Sequence, residues 1–168
     1  RLINLDAEEE SVLYVGCAGG SDSVITGALR REPAQAGEIA VEVRVRGLKG
    51  GHSGLDIHLN RGNAIRLLSR VLLRLERDGV AWRLVDLNGG SKRNAIPREA
   101  TARLRVRGEM AARIPGLLAN YLGELKNLHA DSEGDWTLEF EVDVADQNSV
   151  VESGDARRLI GLLYTLPN

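Results

Sequence analysis

Apolar and charged residues alternate along four segments of the chain. The clearest is residues 38–47, where valines at every second position are separated by charged side chains. A period of two is typical of a β-strand with one buried and one exposed face. The same alternation predicts further strands at residues 81–87, 100–107 and 136–144.

Apolar residues recur every three or four positions in the intervening segments. A stripe of this kind over residues 60–77 predicts an amphipathic helix, which Gly79 ends. A second stripe predicts a helix over residues 111–128, with Pro115 in its first turns, where the missing amide is tolerated. A last helix is predicted at about residues 152–163.

The order of these elements predicts an α+β fold. A βαββαβ sequence is typical of a ferredoxin-like two-layer sandwich, in which two helices cover one face of a four-stranded antiparallel sheet. The first strand is then expected between the third and the fourth, with Glu42 beside arginines of the third strand and Arg44 and Arg46 beside acidic residues of the fourth. Such cross-strand pairs favour this register by up to about 1 kcal/mol each. A purely solubilising role is equally compatible with these charges.

The first part of the chain is less regular. Short strands are predicted at residues 1–5 and 11–15, and the periodicity is lost over residues 26–37, which predicts a boundary there. The chain begins without Met, inside an apolar run, and ends just after a helix. We therefore expect a segment of a larger protein.

Composition excludes several classes of function. Hydrophobic residues make up 43% and charged residues 27% of the 168 positions, which is typical of a globular protein of one domain, or one with part of another. The net charge of −2 provides no overall attraction to nucleic acid or to an anionic membrane. A single cysteine, Cys17, excludes an internal disulfide framework and favours a reduced, cytoplasmic environment.

Two glycine-rich turns carry polar side chains that packing does not explain. Residues 47–54 read GLKGGHSG and place His52 between the first strand and the first helix. Residues 88–97 read NGGSKRNAIP and place Asn94 before the third strand. Glycine permits sharp turns and close approach to another molecule, and loops between rigid elements often present binding residues. The first turn alone is equally compatible with an incidental surface histidine.

Taken together, GGHSG and NGGxxRNAIPRE resemble the zinc-dependent aminoacyl-histidine dipeptidases, relatives of carnosinase and of the di-zinc carboxypeptidases. The opening residues, LINLDAEEE and GCAGG, resemble a segment of that family's α/β catalytic domain. The resemblance covers nearly the whole chain, more loosely after about residue 110. It implies that residues 1–37 end a catalytic-domain segment, that residues 38–150 form a lid domain that closes over the substrate, and that residues 151–168 begin the next part of the lid.

The resemblance also implies a role for individual residues. Asp6 matches a carboxylate ligand of one of two zinc ions. His52 matches the lid histidine that stabilises the tetrahedral intermediate, and Asn94 matches the asparagine that binds the polar end of the substrate. The remaining zinc ligands and the general base are expected outside this chain, so the isolated chain is expected to bind zinc poorly and to hydrolyse nothing.

The implied partners are a dipeptide of the Xaa-His type, the rest of the catalytic domain and either a second copy of the lid or the lid's own second half. The implied location is the cytoplasm, without nucleic acid or membrane. An alternative is a ligand-binding or oligomerisation module without catalysis, since ferredoxin-like sandwiches also serve such roles. RNA binding on the sheet is disfavoured, because the fourth strand is acidic and exposed aromatic residues are lacking. The enzyme hypothesis requires His52 and Asn94 to lie close together.

Overall fold

A four-stranded antiparallel sheet forms the centre of the fold in the computed structural model, which describes residues 10–16, 19–142, 144 and 148–167. In chain order the strands are β1 (Arg31–Pro33), β2 (Glu38–Arg46), β3 (Gly51–His52), β4 (Trp82–Gly89), β5 (Ala95–Ile96), β6 (Ala100–Arg107), β7 (Thr137–Val142) and β8 (Ser149–Val151). The helices are α1 (Ala64–Arg77), α2 (Gly108–Ala111), α3 (Ile114–Leu128) and α4 (Ser153–Thr165), and a 3-10 turn spans Ile57–Leu59.

The strand order of the central sheet is β4-β6-β2-β7, so that the first long strand lies between the third and the fourth. This placement was predicted from the order of the elements and is confirmed. Glu42 of β2 lies opposite Arg103 of β6, and Arg44 lies opposite Glu139 of β7. Arg44 also forms an ion pair of 2.8 Å with Glu141. The α+β class predicted from the order of elements is likewise confirmed.

The apolar face of this sheet packs against α1 and α3. The alternating valines of β2 are fully buried, and so is Trp136 immediately before β7. Burial of apolar surface is the main favourable contribution to folding. The large side chains of α1 and α3 that are fully buried include Leu68, Val71, Leu72, Leu75 and Ile114. No helix within the described ranges is long and apolar enough to cross a membrane.

The first long helix begins later than its apolar stripe predicts. Asn63 is the N-cap, and its Oδ1 accepts hydrogen bonds from the backbone N–H groups of Ile65 and Arg66 at 3.1 and 3.3 Å. Because an Asn side chain at this position satisfies amides that no helical carbonyl can reach, the helix begins at the next residue. The predicted end at Gly79, which has a φ of +82°, is confirmed.

The predicted second helix, residues 111–128, corresponds to α3, and the short helix α2 precedes it, separated from it by residues 112–113. Pro115 occupies the first turn of α3, as predicted. The predicted strand at residues 11–15 is wrong, because these residues form a turn and irregular chain in which Leu13 is 86% exposed. An apolar run becomes a strand only where a neighbouring strand completes its hydrogen bonds, and none is present beside this run in the described part of the chain. The predicted strand at residues 1–5 lies outside the described residues.

The segment around the predicted boundary pairs with a distant part of the chain. Strand β1 is antiparallel to β8, with Glu32 opposite Val150. Just before β1, Arg30 binds Asp155 near the start of α4 through its backbone N–H at 3.0 Å and its side-chain Nε at 3.1 Å. Helix α4 packs on α1 and contributes Ile160 to the same core.

One buried carboxylate joins the loop after β2 to the segment before α1. Glu133 is only 7% exposed, and its two oxygens accept hydrogen bonds from the backbone N–H groups of Lys49 at 2.8 Å and Gly62 at 2.7 Å. The Lys49 ammonium also donates to the Ser132 carbonyl at 2.9 Å. A charged acceptor makes hydrogen bonds that are stronger than those between neutral groups. The glycine-rich loop is therefore held to the α3–β7 connection.

We expect Glu133→Ala to lower the free energy of unfolding by about 1 to 3 kcal/mol, because it leaves two amides without acceptors in a water-poor site. Glu133→Gln keeps a single acceptor oxygen and is expected to lie between the wild type and the alanine variant. Urea denaturation measures the free energy of unfolding of both variants. The control is Asp131→Ala, which removes an exposed carboxylate from the same loop. It should change the free energy of unfolding by less than about 0.5 kcal/mol. Equal stability of Glu133→Ala and the wild type would contradict this role.

We expect the contact between Arg30 and Asp155 to stabilise the fold only while the carboxylate is charged. The hydrogen bonds and positive charge of Arg30 hold the pKa of Asp155 well below its usual range. A lowered pKa contributes stability that is present above the usual carboxyl pKa of about 3.9 and is lost as the pH falls through the lowered value.

The melting temperature of Asp155→Asn should therefore lie below that of the wild type at neutral pH, and the difference should shrink as the pH falls below about 4. Arg30→Gln should show the same pH dependence, and the double variant should be little worse than either single one. A difference that is constant from neutral to acidic pH would contradict the ion pair.

Candidate active site

Two distant loops meet through a short backbone pairing. Strand β3 follows the GLKGG turn, strand β5 lies in the second polar turn, and the two are antiparallel, with His52 opposite Ala95. The Ser53 N–H extends the pairing by donating to the Asn94 carbonyl at 2.9 Å. The His52 and Asn94 backbones therefore lie next to each other, and both residues are exposed.

The turn that carries His52 is closed by a carboxylate. Asp56 Oδ2 accepts the His52 backbone N–H at 2.9 Å and Arg61 Nη1 at 3.2 Å. The same Nη1 donates to the Gly50 carbonyl at 2.5 Å, and the Asp56 backbone N–H donates to the His52 carbonyl at 3.0 Å. These contacts hold the backbone on both sides of the imidazole.

The His52 imidazole has a defined orientation. Its Nδ1 accepts hydrogen bonds from the backbone N–H groups of Gly54 at 3.0 Å and Leu55 at 3.1 Å. An imidazole nitrogen that accepts a hydrogen bond carries no proton, so the neutral ring has its proton on Nε2. The side chain therefore presents an N–H donor away from the turn that holds it.

Glycine is required at two positions of this turn. Gly50 has a φ of +64°, and a Cβ there would lie 2.8 Å from Arg98 Cδ. Gly51 has a φ of +147°, and a Cβ there would lie 2.5 Å from the Asp56 Oδ2 that holds the turn. Residues with a Cβ rarely adopt such conformations. The absence of a Cβ at Gly51 thus allows the Asp56 carboxylate and the Arg61 guanidinium to approach the backbone.

A cleft of about 500 Å³ opens beside the paired loops. Residues 88–91 and 95–101 form most of its walls, and Gly51 also contributes. Neither His52 nor Asn94 lines the cleft, but each is next in sequence to a residue that does. The His52 and Asn94 backbones therefore adjoin the cleft wall, of which their side chains are not part.

Three supporting residues were not identified from the sequence. Asp56 follows His52 by four positions, and its place just after the glycine-rich turn was an available signal. Arg61 and Glu133 gave no comparable signal, since Glu133 is 84 positions away from the Lys49 amide that it binds. Of the other histidines, His58 is exposed in the 3-10 turn and His129 is the C-cap of α3.

The predicted metal ligand Asp6 lies outside the described residues. Within residues 10–16, 19–142, 144 and 148–167, no group of three or more His, Cys, Asp or Glu side chains is placed to hold a metal ion. These residues alone therefore do not form a zinc site.

Comparison with known proteins identifies the family. The family model described as the peptidase dimerisation domain matches residues 43–133, which include both paired loops, α1, α3 and three strands of the central sheet. The chain is 40% identical over 167 residues to a cytosol non-specific dipeptidase of Escherichia coli (strain K12), a match that covers 99% of the chain.

A solved structure is also similar. The aminoacylhistidine dipeptidase of Vibrio alginolyticus is 38% identical and superposes with a TM-score of 0.75 over 83% of this chain and 28% of that protein. The chain spans only 34% of the length of the Escherichia coli relative. Since the family model matches more than half of its residues, this chain belongs to the M20 peptidase dimerisation domain family.

Proposed function

We propose that this chain is the lid of a metal-dependent dipeptidase and that it contributes His52 and Asn94 to the active site of the whole protein. The observation that carries the proposal is the pairing of β3 with β5, which joins the His52 and Asn94 backbones. The two relatives named above are dipeptidases, and both are considerably longer than this chain. A binding module without catalysis has no comparable requirement for two polar side chains at one place.

His52 is suited to stabilise negative charge on a substrate. With Nδ1 occupied by two backbone amides, Nε2–H is the donor that remains for a ligand. When a peptide carbonyl is attacked, its oxygen becomes negatively charged, and a donor already in position stabilises that charge without reorganising. A donor mounted on a lid acts only when the site is closed and water is excluded.

Asn94 is suited to hold the substrate. Its backbone carbonyl is occupied by Ser53, while its exposed side chain carries both a donor and an acceptor. An amide can therefore bind a carboxylate or an amino group without adding charge to the site. We assign it to the polar end of the dipeptide, and we assign an Xaa-His preference to the whole protein.

Zinc belongs to the proposal for the whole protein. The resemblance assigns one ligand to Asp6, and the described residues provide no further ligand set. When bound, zinc would polarise the carbonyl and activate the attacking water. The residues of this chain act separately from it, by holding the substrate and by donating a hydrogen bond.

We also propose that the whole protein is cytosolic and that its lid forms a homodimer. The family model is described as a dimerisation domain, and the Escherichia coli relative is named a cytosol enzyme. Strand β7 is an edge of the central sheet, and its outer side pairs with no strand of the described residues. Unpaired strand edges are available to another chain.

We expect His52→Ala in the full-length protein to lower kcat for an Xaa-His dipeptide by about 10²-fold or more, with a smaller change in KM, because the lost donor acts on charge that forms in the transition state. Steady-state kinetics measure both constants. His58→Ala is the matched control, since His58 is exposed in the same loop and is expected to leave kcat unchanged. Unchanged turnover in His52→Ala would exclude the proposed role.

The isolated 168-residue chain is expected to hydrolyse no dipeptide, even with added zinc, because a catalytic zinc site usually needs three protein ligands. The assay follows release of free histidine from an Xaa-His dipeptide, with the full-length protein as positive control. Turnover by the purified chain that a chelator abolishes would contradict this expectation.

A further inference from the structure

An arginine-lined pocket lies over the first half of α1, separate from the 500 Å³ cleft beside His52. It has a volume of about 310 Å³. Arg66 and Arg70 form part of its wall, and His129 at the end of α3 and Tyr164 in the last turn of α4 also line it. None of the described residues that line the pocket is acidic.

The neighbouring arginines of this surface already have carboxylate partners. Arg61, which also lines the pocket, binds Asp56 in the His52 turn. Arg74, one turn beyond Arg70, binds both oxygens of Glu124 at 2.5 and 2.6 Å. These two guanidinium groups are therefore neutralised by the protein itself.

Arg66 and Arg70 differ from Arg61 and Arg74 in their partners. Among the described residues Arg66 has neither an ion pair nor a side-chain hydrogen bond; its Nε is buried without an acceptor, as is the Nε of Arg74. The charge of Arg70 helps to lower the pKa of Glu124, but the hydrogen bonds of that carboxylate go to Arg74. The two Nη groups of Arg66 are therefore its donors left for a ligand.

The spacing of the two arginines suits one shared ligand. Residues four apart lie on the same side of a helix, where like charges repel each other. An anion between their Nη groups would remove this repulsion and supply acceptors to both guanidinium groups. The pocket also lies at the positive, N-terminal end of α1. Asn63 already occupies the Ile65 and Arg66 amides, so that the ligand would be held by side chains.

We propose that this pocket binds a multiply charged oxyanion, phosphate or a phosphate ester, between Arg66 and Arg70. Two planar guanidinium groups offer paired N–H donors to more than one oxygen, and a tetrahedral phosphate can accept from both. A carboxylate has one negative charge and two acceptor oxygens, whereas phosphate has more of both. The Tyr164 hydroxyl and the His129 ring are further polar groups on the pocket wall. This site is independent of peptide hydrolysis.

The test is a calorimetric titration of the chain with inorganic phosphate at constant ionic strength, repeated with acetate. We expect saturable phosphate binding and much weaker binding of acetate. Arg66→Gln and Arg70→Gln should each weaken phosphate binding about tenfold, the loss expected for a charged hydrogen-bonding partner. Arg77→Gln is the matched control, because Arg77 lies on the same helix beside Asp78 and outside this pocket, and its affinity should equal that of the wild type.

Arg66→Lys provides a second variant that keeps the charge and loses the paired donors, and it should bind with intermediate affinity. Thermal unfolding without phosphate checks that each variant is folded. The proposal is overturned if phosphate does not saturate the wild type, if acetate binds equally well, or if folded Arg66→Gln and Arg70→Gln both retain wild-type affinity.

Discussion

The backbone pairing between β3 and β5 is the contact on which the candidate site depends. It involves two residues from each strand, too few to be stable alone in water. Its stability therefore comes from the rigid elements around it, since β3 follows β2 and β5 precedes β6 in the centre of the sheet. Arg98 Nε also donates to the Leu48 carbonyl at 3.0 Å, and the Ala64 N–H donates to the Pro97 carbonyl at 2.9 Å. The two loops are thus attached to each other and to the start of α1.

Carboxylates bind backbone amides of the His52 loop in addition to the strand pairing. Glu133 binds the amides at its beginning and at its end, and Asp56 binds the amide of His52 itself. Ion pairs on the exposed sheet face are weaker contributions, because water and salt screen them. A loop organised in this way can leave one imidazole nitrogen for a ligand while the other is held by the chain.

The His52 site and the arginine pocket are adjacent but electrostatically different. Arg61 contacts the His52 turn through Asp56 and Gly50, and it also lines the pocket. Around His52 the available group is a neutral donor, which suits charge that forms and disappears during a reaction. In the pocket the available groups are permanent cations, which suit a permanent anion.

The sequence by itself determined the elements whose periodicity arises from burying one face: the four long strands, the main helices and the central place of β2. It also indicated which two loops carry unusual polar residues, because glycine and histidine together have no role in packing. Only the tertiary structure decided that the backbones of these loops pair, that Glu133 and Asp56 hold them, and that residues 11–15 form no strand. The physical reason is that periodicity records whether a side chain is buried, whereas hydrogen bonds between distant segments depend on which backbones the fold brings together.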